Sequence, residues 1–283
     1  MKTQVVFAAT LISCLTIQAQ KLEQPKPFPV KESFSNPIVS PDGKFVLLTK
    51  EQNKGVYLLN VKENKVKKIS NQNGSGYAYS WNQNSSTFYF REKNKADYHS
   101  HAVITAYDIK SKKLMKQNGT NPNWLPSFKG FEENKTVVYT NLFSLKIEAK
   151  NLETQKSWVV TNDEGQFYNA ILSHNGKKVA VHKGADIYIY DVDGKSAGIK
   201  IGTGIATSWS QDDKYLIGFI DESKDGHSVS NSDLYLFEVE SRKSKKLTDT
   251  KDNYEMFPCF YGDNKVMFSD DKTGKIYVSE LKL

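Results

Sequence analysis

A unit of about forty residues recurs six times along this 283-residue chain, and that periodicity limits the fold more than any other feature. The clearest copy spans residues 40–70, SPDGKFVLLTKEQNKGVYLLNVKENKVKKIS. Ser-Pro-Asp-Gly is turn chemistry. Pro presets φ, the Asp side chain bonds nearby backbone, and Gly accepts positive φ. An apolar run follows, Phe45-Val46-Leu47-Leu48, then a polar loop and a second run, Val56-Tyr57-Leu58-Leu59. After a charged turn, Lys65-Val66-Lys67-Lys68-Ile69 alternates as a half-exposed strand does.

The turn and its apolar run return as WNQNSSTFYF from Trp81, LSHNGKKVAV from Leu172, WSQDDKYLIGF from Trp209 and FYGDNKVMF from Phe260. The weakest copy is Phe131-Glu132-Glu133-Asn134-Lys135 before Val137. The second run recurs as VITAYDI, LKIEAKNL, IYIYDV, LYLFEV and IYVSEL. Copies lie about 37 to 51 residues apart, the spacing of four-stranded propeller blades. Consecutive apolar residues in the middle strands predict burial on both faces, as between packed blades. Lysines on the last strand predict an outer rim protected from edge pairing. A two-sheet sandwich is also rich in short strands, but it has no need of six copies of one unit. The expected fold is all-β: a six-bladed β-propeller with four-stranded blades.

The units VSPDGKFVLL, SWNQNSSTFYF, LSHNGKKVAV, SWSQDDKYLIGF and FYGDNKVMF resemble the WD40-like (PD40) repeats of the TolB-like six-bladed propellers. The resemblance covers nearly all of residues 36–283 and implies fold, not activity. TolB itself carries a further α/β domain before its propeller, and the short segment before the first repeat here departs from that plan. Its partner binding is therefore not carried over. The sixth copy stops after its second apolar strand, so residues 20–35 are expected to supply the missing strand and close the last blade.

Residues 1–19 have the layout of a secretory signal peptide: Lys2, an apolar run from Val5 to Ile17, and Ala19 before a polar start. Leu11-Ile12-Ser13-Cys14 also resembles a lipobox, which leaves lipid anchoring through Cys14 as the alternative to soluble export, periplasmic or secreted. The remaining cysteine, Cys259, reads as a small buried hydrophobe. The net charge of +7 comes almost wholly from Lys, since Arg occurs only at Arg91 and Arg242. Arg is the preferred reader of guanine and phosphate, so nucleic acid is not an expected partner. No other segment has the length of a membrane span.

Binding residues concentrate on loops carried by a rigid scaffold. In a propeller, the loops between second and third strands share one face with the connectors between blades. The longest such loops are residues 91–102 and 221–233, from blades three apart. His99, His101 and His227 lie on them, with Asp233 read as pinning the second loop. The connectors contribute Tyr77, Tyr79, Trp124, Phe167, Tyr168, Tyr254 and Glu255. Aromatic platforms with a few polar groups suit a sugar, peptide or small ligand. The expected ligand-binding set is His99, His101, Trp124, Tyr168, His227, Asp233, Tyr254 and Glu255. Trp81 and Trp209 are expected in the core.

No Gly-x-Ser-x-Gly elbow, Walker loop or dinucleotide-binding glycine pattern occurs. Asp212-Asp213 and Asp270-Asp271 read as solvated turn residues. The expected function is an exported, noncatalytic binding or scaffold propeller, a monomer without cofactor. Its partner would be an envelope or extracellular protein, a peptide or a glycan. The alternative is a metal-dependent propeller enzyme of lyase or lactonase type, with His99, His101 and His227 around the metal.

Overall fold

The computed structural model describes residues 21–93, 102–116, 124–127, 136–151, 153–251 and 253–283. Two short strands come first, β1 (Lys21–Leu22) and β2 (Lys26–Pro27). Blade 1 is β3 (Ser35–Val39), β4 (Phe45–Lys50), β5 (Lys54–Asn60) and β6 (Lys65–Ser70). Blade 2 is β7 (Ser80–Trp81), β8 (Thr87–Lys93), β9 (Ala102–Asp108) and β10 (Leu114–Lys116). Blade 3 is β11 (Trp124–Ser127), β12 (Thr136–Asn141), β13 (Lys146–Asn151) and β14 (Ser157–Val159). Blade 4 is β15 (Tyr168–Leu172), β16 (Lys178–Lys183), β17 (Asp186–Asp191) and β18 (Ile199–Thr203). Blade 5 is β19 (Ile205–Trp209), β20 (Tyr215–Ser223), β21 (Val229–Glu238) and β22 (Ser244–Lys246). Blade 6 has three strands of its own, β23 (Glu255–Phe260), β24 (Lys265–Asp270) and β25 (Lys275–Lys282). Blades 1 to 5 are four-stranded antiparallel meanders, and in blade 6 β1 and β2 pair with β25 beside the meander β23–β24–β25; together they make the six-bladed propeller expected from the repeats.

The repeat's Ser and Asp have a defined task. Ser40 Oγ accepts the Phe45 amide at 3.0 Å and donates to Asp42 Oδ1 at 2.7 Å, which accepts the Lys44 amide at 3.1 Å. Ser210 and Asp212 repeat this with Tyr215 and Lys214, and Ser173 and Asn175 with Lys178 and Lys177. The fourth residue of each turn has positive φ: Gly43, Ser85, Gly176 and Asp213. Turns also bond to one another. Asp42 N donates to Ser85 Oγ, and His174 N and Asn175 N donate to the Asp213 carboxylate. Asp213 is thus a link between blades 4 and 5, not a solvated turn residue. Ser210→Ala is expected to cost about 1 kcal/mol of stability in chemical denaturation, because the Tyr215 amide loses its acceptor.

The middle strands bury both faces, β4 with Val46, Leu47, Leu48 and Thr49, and β16 with Val179, Ala180, Val181 and His182. Apolar layers therefore lie between blades. Val138, Ile147 and Ala149 of blade 3 meet Val179, Val181 and Tyr190 of blade 4. Trp81 and Trp209 are fully buried, and each indole donates to the innermost strand of the preceding blade, at Ile38 O and Ile171 O. Cys259 is buried in the layer shared by blades 6 and 1.

The N-terminal segment closes the ring as expected. Lys21 and Leu22 pair with Lys282 and Leu281, and Lys26 and Pro27 with Val278 and Tyr277. Phe28 N donates to Ile276 O at 2.7 Å. Phe28, Val30 and Phe34 then enter the layer between blades 6 and 1.

Candidate ligand-binding face

Four of the six innermost strands share a distortion. Register shifts interrupt β3 at Ser35/Ile38, β15 at Tyr168/Ile171, β19 at Ala206/Ser208 and β23 at Met256/Cys259. Three of these bulges hold a non-glycine residue at positive φ: Asn36, Asn169 and Phe257. A bulge re-aims side chains and turns backbone groups out of the ladder. The freed groups bond to the next blade. Tyr79 OH donates to Asn36 O, Asn169 Nδ2 to Ala206 O at 3.1 Å, and Thr207 Oγ1 to Pro258 O. These bonds tie innermost strands to the neighbouring blade.

On that face, residues 221–233 form no long loop. β20 and β21 continue as one hairpin, with Asp221 opposite Ser232, Glu222 opposite Asn231 and Ser223 opposite Val229. The polar sequence hid strands that need no buried face, because they project past β19 and β22. His227 lies in the turn at the tip. There Asp225 accepts the amides of Ser228 and His227, which with Ser223 hold its carboxyl far below the usual range.

At the foot of this hairpin, blades 5 and 6 meet through polar groups. Ser232 bridges to Tyr254, and its hydroxyl donates to Glu255 O at 2.6 Å. Glu255 is 1% exposed; its Oε1 accepts from Thr250 at 2.7 Å, and its Oε2 has no hydrogen-bond partner among the described residues. Burial raises the Glu255 carboxyl above its ordinary range, and the Asp233 and Asp270 carboxylates add to the shift against the Thr250 hydroxyl. Asp233 is 4% exposed. Its Oδ2 receives Lys246 Nζ at 3.0 Å and Asn231 Nδ2 at 3.2 Å, while Oδ1 has no partner among the described residues. Asp270 is fully buried and accepts the Tyr254 and Lys272 amides. It is a backbone anchor, which corrects the solvated reading. Lys272 Nζ stands 5.6 Å from the Tyr254 ring.

A carboxyl raised on folding contributes most below its unfolded value, here 4.5, and that contribution is lost as pH rises. Glu255→Gln is therefore expected to stabilise the protein near pH 8, by on the order of 1 kcal/mol, and to lose that advantage near pH 4. Urea midpoints at the two pH values decide it; an equal difference at both contradicts the buried-acid reading.

Blades 3, 4 and 5 meet through different chemistry. Tyr168 is 45% exposed, stacks on His182 with centroids 5.6 Å apart, and donates its hydroxyl to Gly184 O. His182 is fully buried, and its Nε2 accepts the Ala206 amide at 2.9 Å. Burial pushes its pKa down to about 4, against a hydrogen bond with the Asn169 backbone. Phe167 lies beneath Lys146 and Lys183, whose ammonium groups stand 5.0 and 5.6 Å from its centroid.

Of the expected set, Asp233, Tyr254 and Glu255 gather at the junction of blades 5 and 6, Tyr168 stands on blade 4 and His227 at the hairpin tip. Trp124 begins β11, and His99 and His101 lie outside the described residues, as does the turn at Phe131. Among the described residues, no cluster of three His, Cys, Asp or Glu is arranged for a metal ion, and no helix is long and apolar enough to cross a membrane. Sequence reasoning missed His182, Lys146, Lys183 and Thr250. Only His182 carried a signal, a lone polar residue closing the apolar run VAVH. An open cavity of about 330 Å³ lies elsewhere, beside Gln72, Thr105, Leu114 and Met115.

No protein-family model and no curated protein matches this sequence. Solved structures share the fold. TolB from Acinetobacter baumannii superposes with TM-score 0.59 at 15% identity, over 91% of this chain and 66% of that one. A putative TolB from Agrobacterium tumefaciens gives 0.61 at 15%, over 89% and 91%. An oligogalacturonate lyase in complex with manganese gives 0.58 at 13%, over 89% and 78%. The chain has the TolB-like propeller fold.

Proposed function

We propose that this protein is an exported, noncatalytic propeller that binds a ligand or protein partner on its loop-rich face. One contrast carries this reading. On the turn face, the repeat's polar groups are spent on turns and on neighbouring turns. On the loop-rich face, one buried oxygen each of Asp233 and Glu255 finds no partner among the described residues, and the fixed ring of Tyr168 stays open to solvent. A face that carries both unspent polar groups and an open aromatic ring has the ingredients of a recognition surface.

The N-terminal residues 1–19 support export, and the TolB-like fold is compatible with a periplasmic setting. A glycan and peptide array tests binding with wild type and a Tyr168→Ala/Tyr254→Ala variant. Signals that fall about tenfold or more in the variant support the face. Equal signals, or none for wild type, contradict it. Elemental analysis of the purified protein tests the metal-enzyme alternative: stoichiometric metal lost in His227→Ala would favour it.

A further inference from the structure

We propose that the junction of blades 3 and 4 is an anion subsite that takes the carboxylate of an acidic sugar, with Lys146 and Lys183 as its cations and Tyr168 as the adjoining platform. This rests on the reading of the loop-rich face as the binding face.

The two lysines come from different blades, at the start of β13 and the end of β16, and converge on one connector. Lys146 Nζ donates to Asp163 O, and Lys183 Nζ to Glu164 O at 2.6 Å. Both also lie over the Phe167 ring. Among the described residues, neither forms an ion pair with a carboxylate, whereas Lys50, Lys178, Lys200 and Lys246 each do. The connector itself carries two acids, Asp163 and Glu164; Asp163 Oδ2 accepts from Tyr190 OH and from the Gly198 amide at 3.3 Å, and these bonds, with the charges of Lys183 and Lys146, hold its carboxyl below the ordinary range. Each ammonium has three donors and spends one on a carbonyl, leaving donors for an incoming oxyanion.

The connector is shaped around one of these lysines. Gly165 has φ +116, and a Cβ built there would lie 2.5 Å from Lys183 Cε. Holding the cation before the ligand arrives lowers the entropy lost on binding. Beside it, the Tyr168 ring is fixed at both ends, by stacking on His182 and by its hydroxyl on Gly184 O, the residue after Lys183. A rigid, open aromatic face accepts the C–H face of a sugar ring. Phe143, 82% exposed, lies on the blade 3 loop that ends at Lys146. Lys183 itself lies on β16, enclosed between β15 and β17, so a peptide cannot add as a strand along the lysine's own strand.

The test is calorimetric titration with an oligoglucuronate, a neutral cello-oligosaccharide and polyglutamate, on wild type, Lys146→Gln/Lys183→Gln and Tyr168→Ala. Saturable oligoglucuronate binding is expected, weakened about tenfold or more in the lysine variant and by added salt, with the neutral sugar far weaker. Thermal midpoints of the variants show whether they fold. If the double variant does not, Lys146→Gln alone and the salt dependence of wild type carry the test. Neutral-sugar binding that depends on Tyr168 but not on the lysines would overturn the subsite and leave the binding face standing. Preference for polyglutamate would overturn the sugar assignment. Failure of every probe on wild type would overturn the subsite, while the broader array would still judge the face.

Discussion

Deleting residues 21–30 is expected to lower the thermal midpoint by about 10 °C or more. The segment supplies the outermost pairing of blade 6 and places Leu22, Phe28 and Val30 against the layers on either side of it. Each partly buried apolar side chain contributes about 1 to 2 kcal/mol. Loss of the backbone bonds at Glu23 and Phe28 adds to this, as does loss of the Lys282–Glu23 ion pair to a smaller degree. The deletion also turns β25 into an open edge, and open edges associate. A concentration-dependent oligomer should therefore accompany the lower midpoint, measured by scanning calorimetry and light scattering. An unchanged midpoint would mean that the ring holds without its strap.

Acid is expected to remove about 3 kcal/mol of stability through His182 alone. The buried ring stays neutral in the folded protein until about pH 4, whereas the unfolded ring takes up its proton near 6.5. Between those values the unfolded state binds more protons. The contribution is complete above pH 6.5 and is lost as pH falls toward 4. Protonation also removes the acceptor for the Ala206 amide, so the contact between blades 4 and 5 is what fails. His182→Gln should start lower near pH 7 and fall less steeply on acidification. Urea denaturation of both proteins across this range measures the difference. Parallel pH profiles would show that His182 does not titrate as its burial requires.

The fold was legible because one unit is written six times. Each copy carries turn residues whose hydrogen bonds are local, and local chemistry can be read from neighbouring letters. The SPDGK turn is the clearest case, since Ser40, Asp42 and Phe45 satisfy one another within six residues. The candidate site was legible only in part. Tyr254 and Glu255 were found because a connector must precede each innermost strand, and Asp233 because it ended a polar stretch. Residues 221–233 were misread as loop because a projecting hairpin has no apolar face to announce it.

Periodicity alone determined the architecture, the number of blades, the buried middle strands and the need for an N-terminal strap. The tertiary structure alone decided which polar groups are spent and which are left. Asp213 and Asp270 look like solvated turn residues in the sequence, yet one ties two turns together and the other anchors backbone amides. Lys146 and Lys183 are two lysines among many until the ring brings both to the connector over Phe167. Their partners lie one blade away, and the sequence fixes the distance along the chain but not the closure of the ring that sets who meets whom.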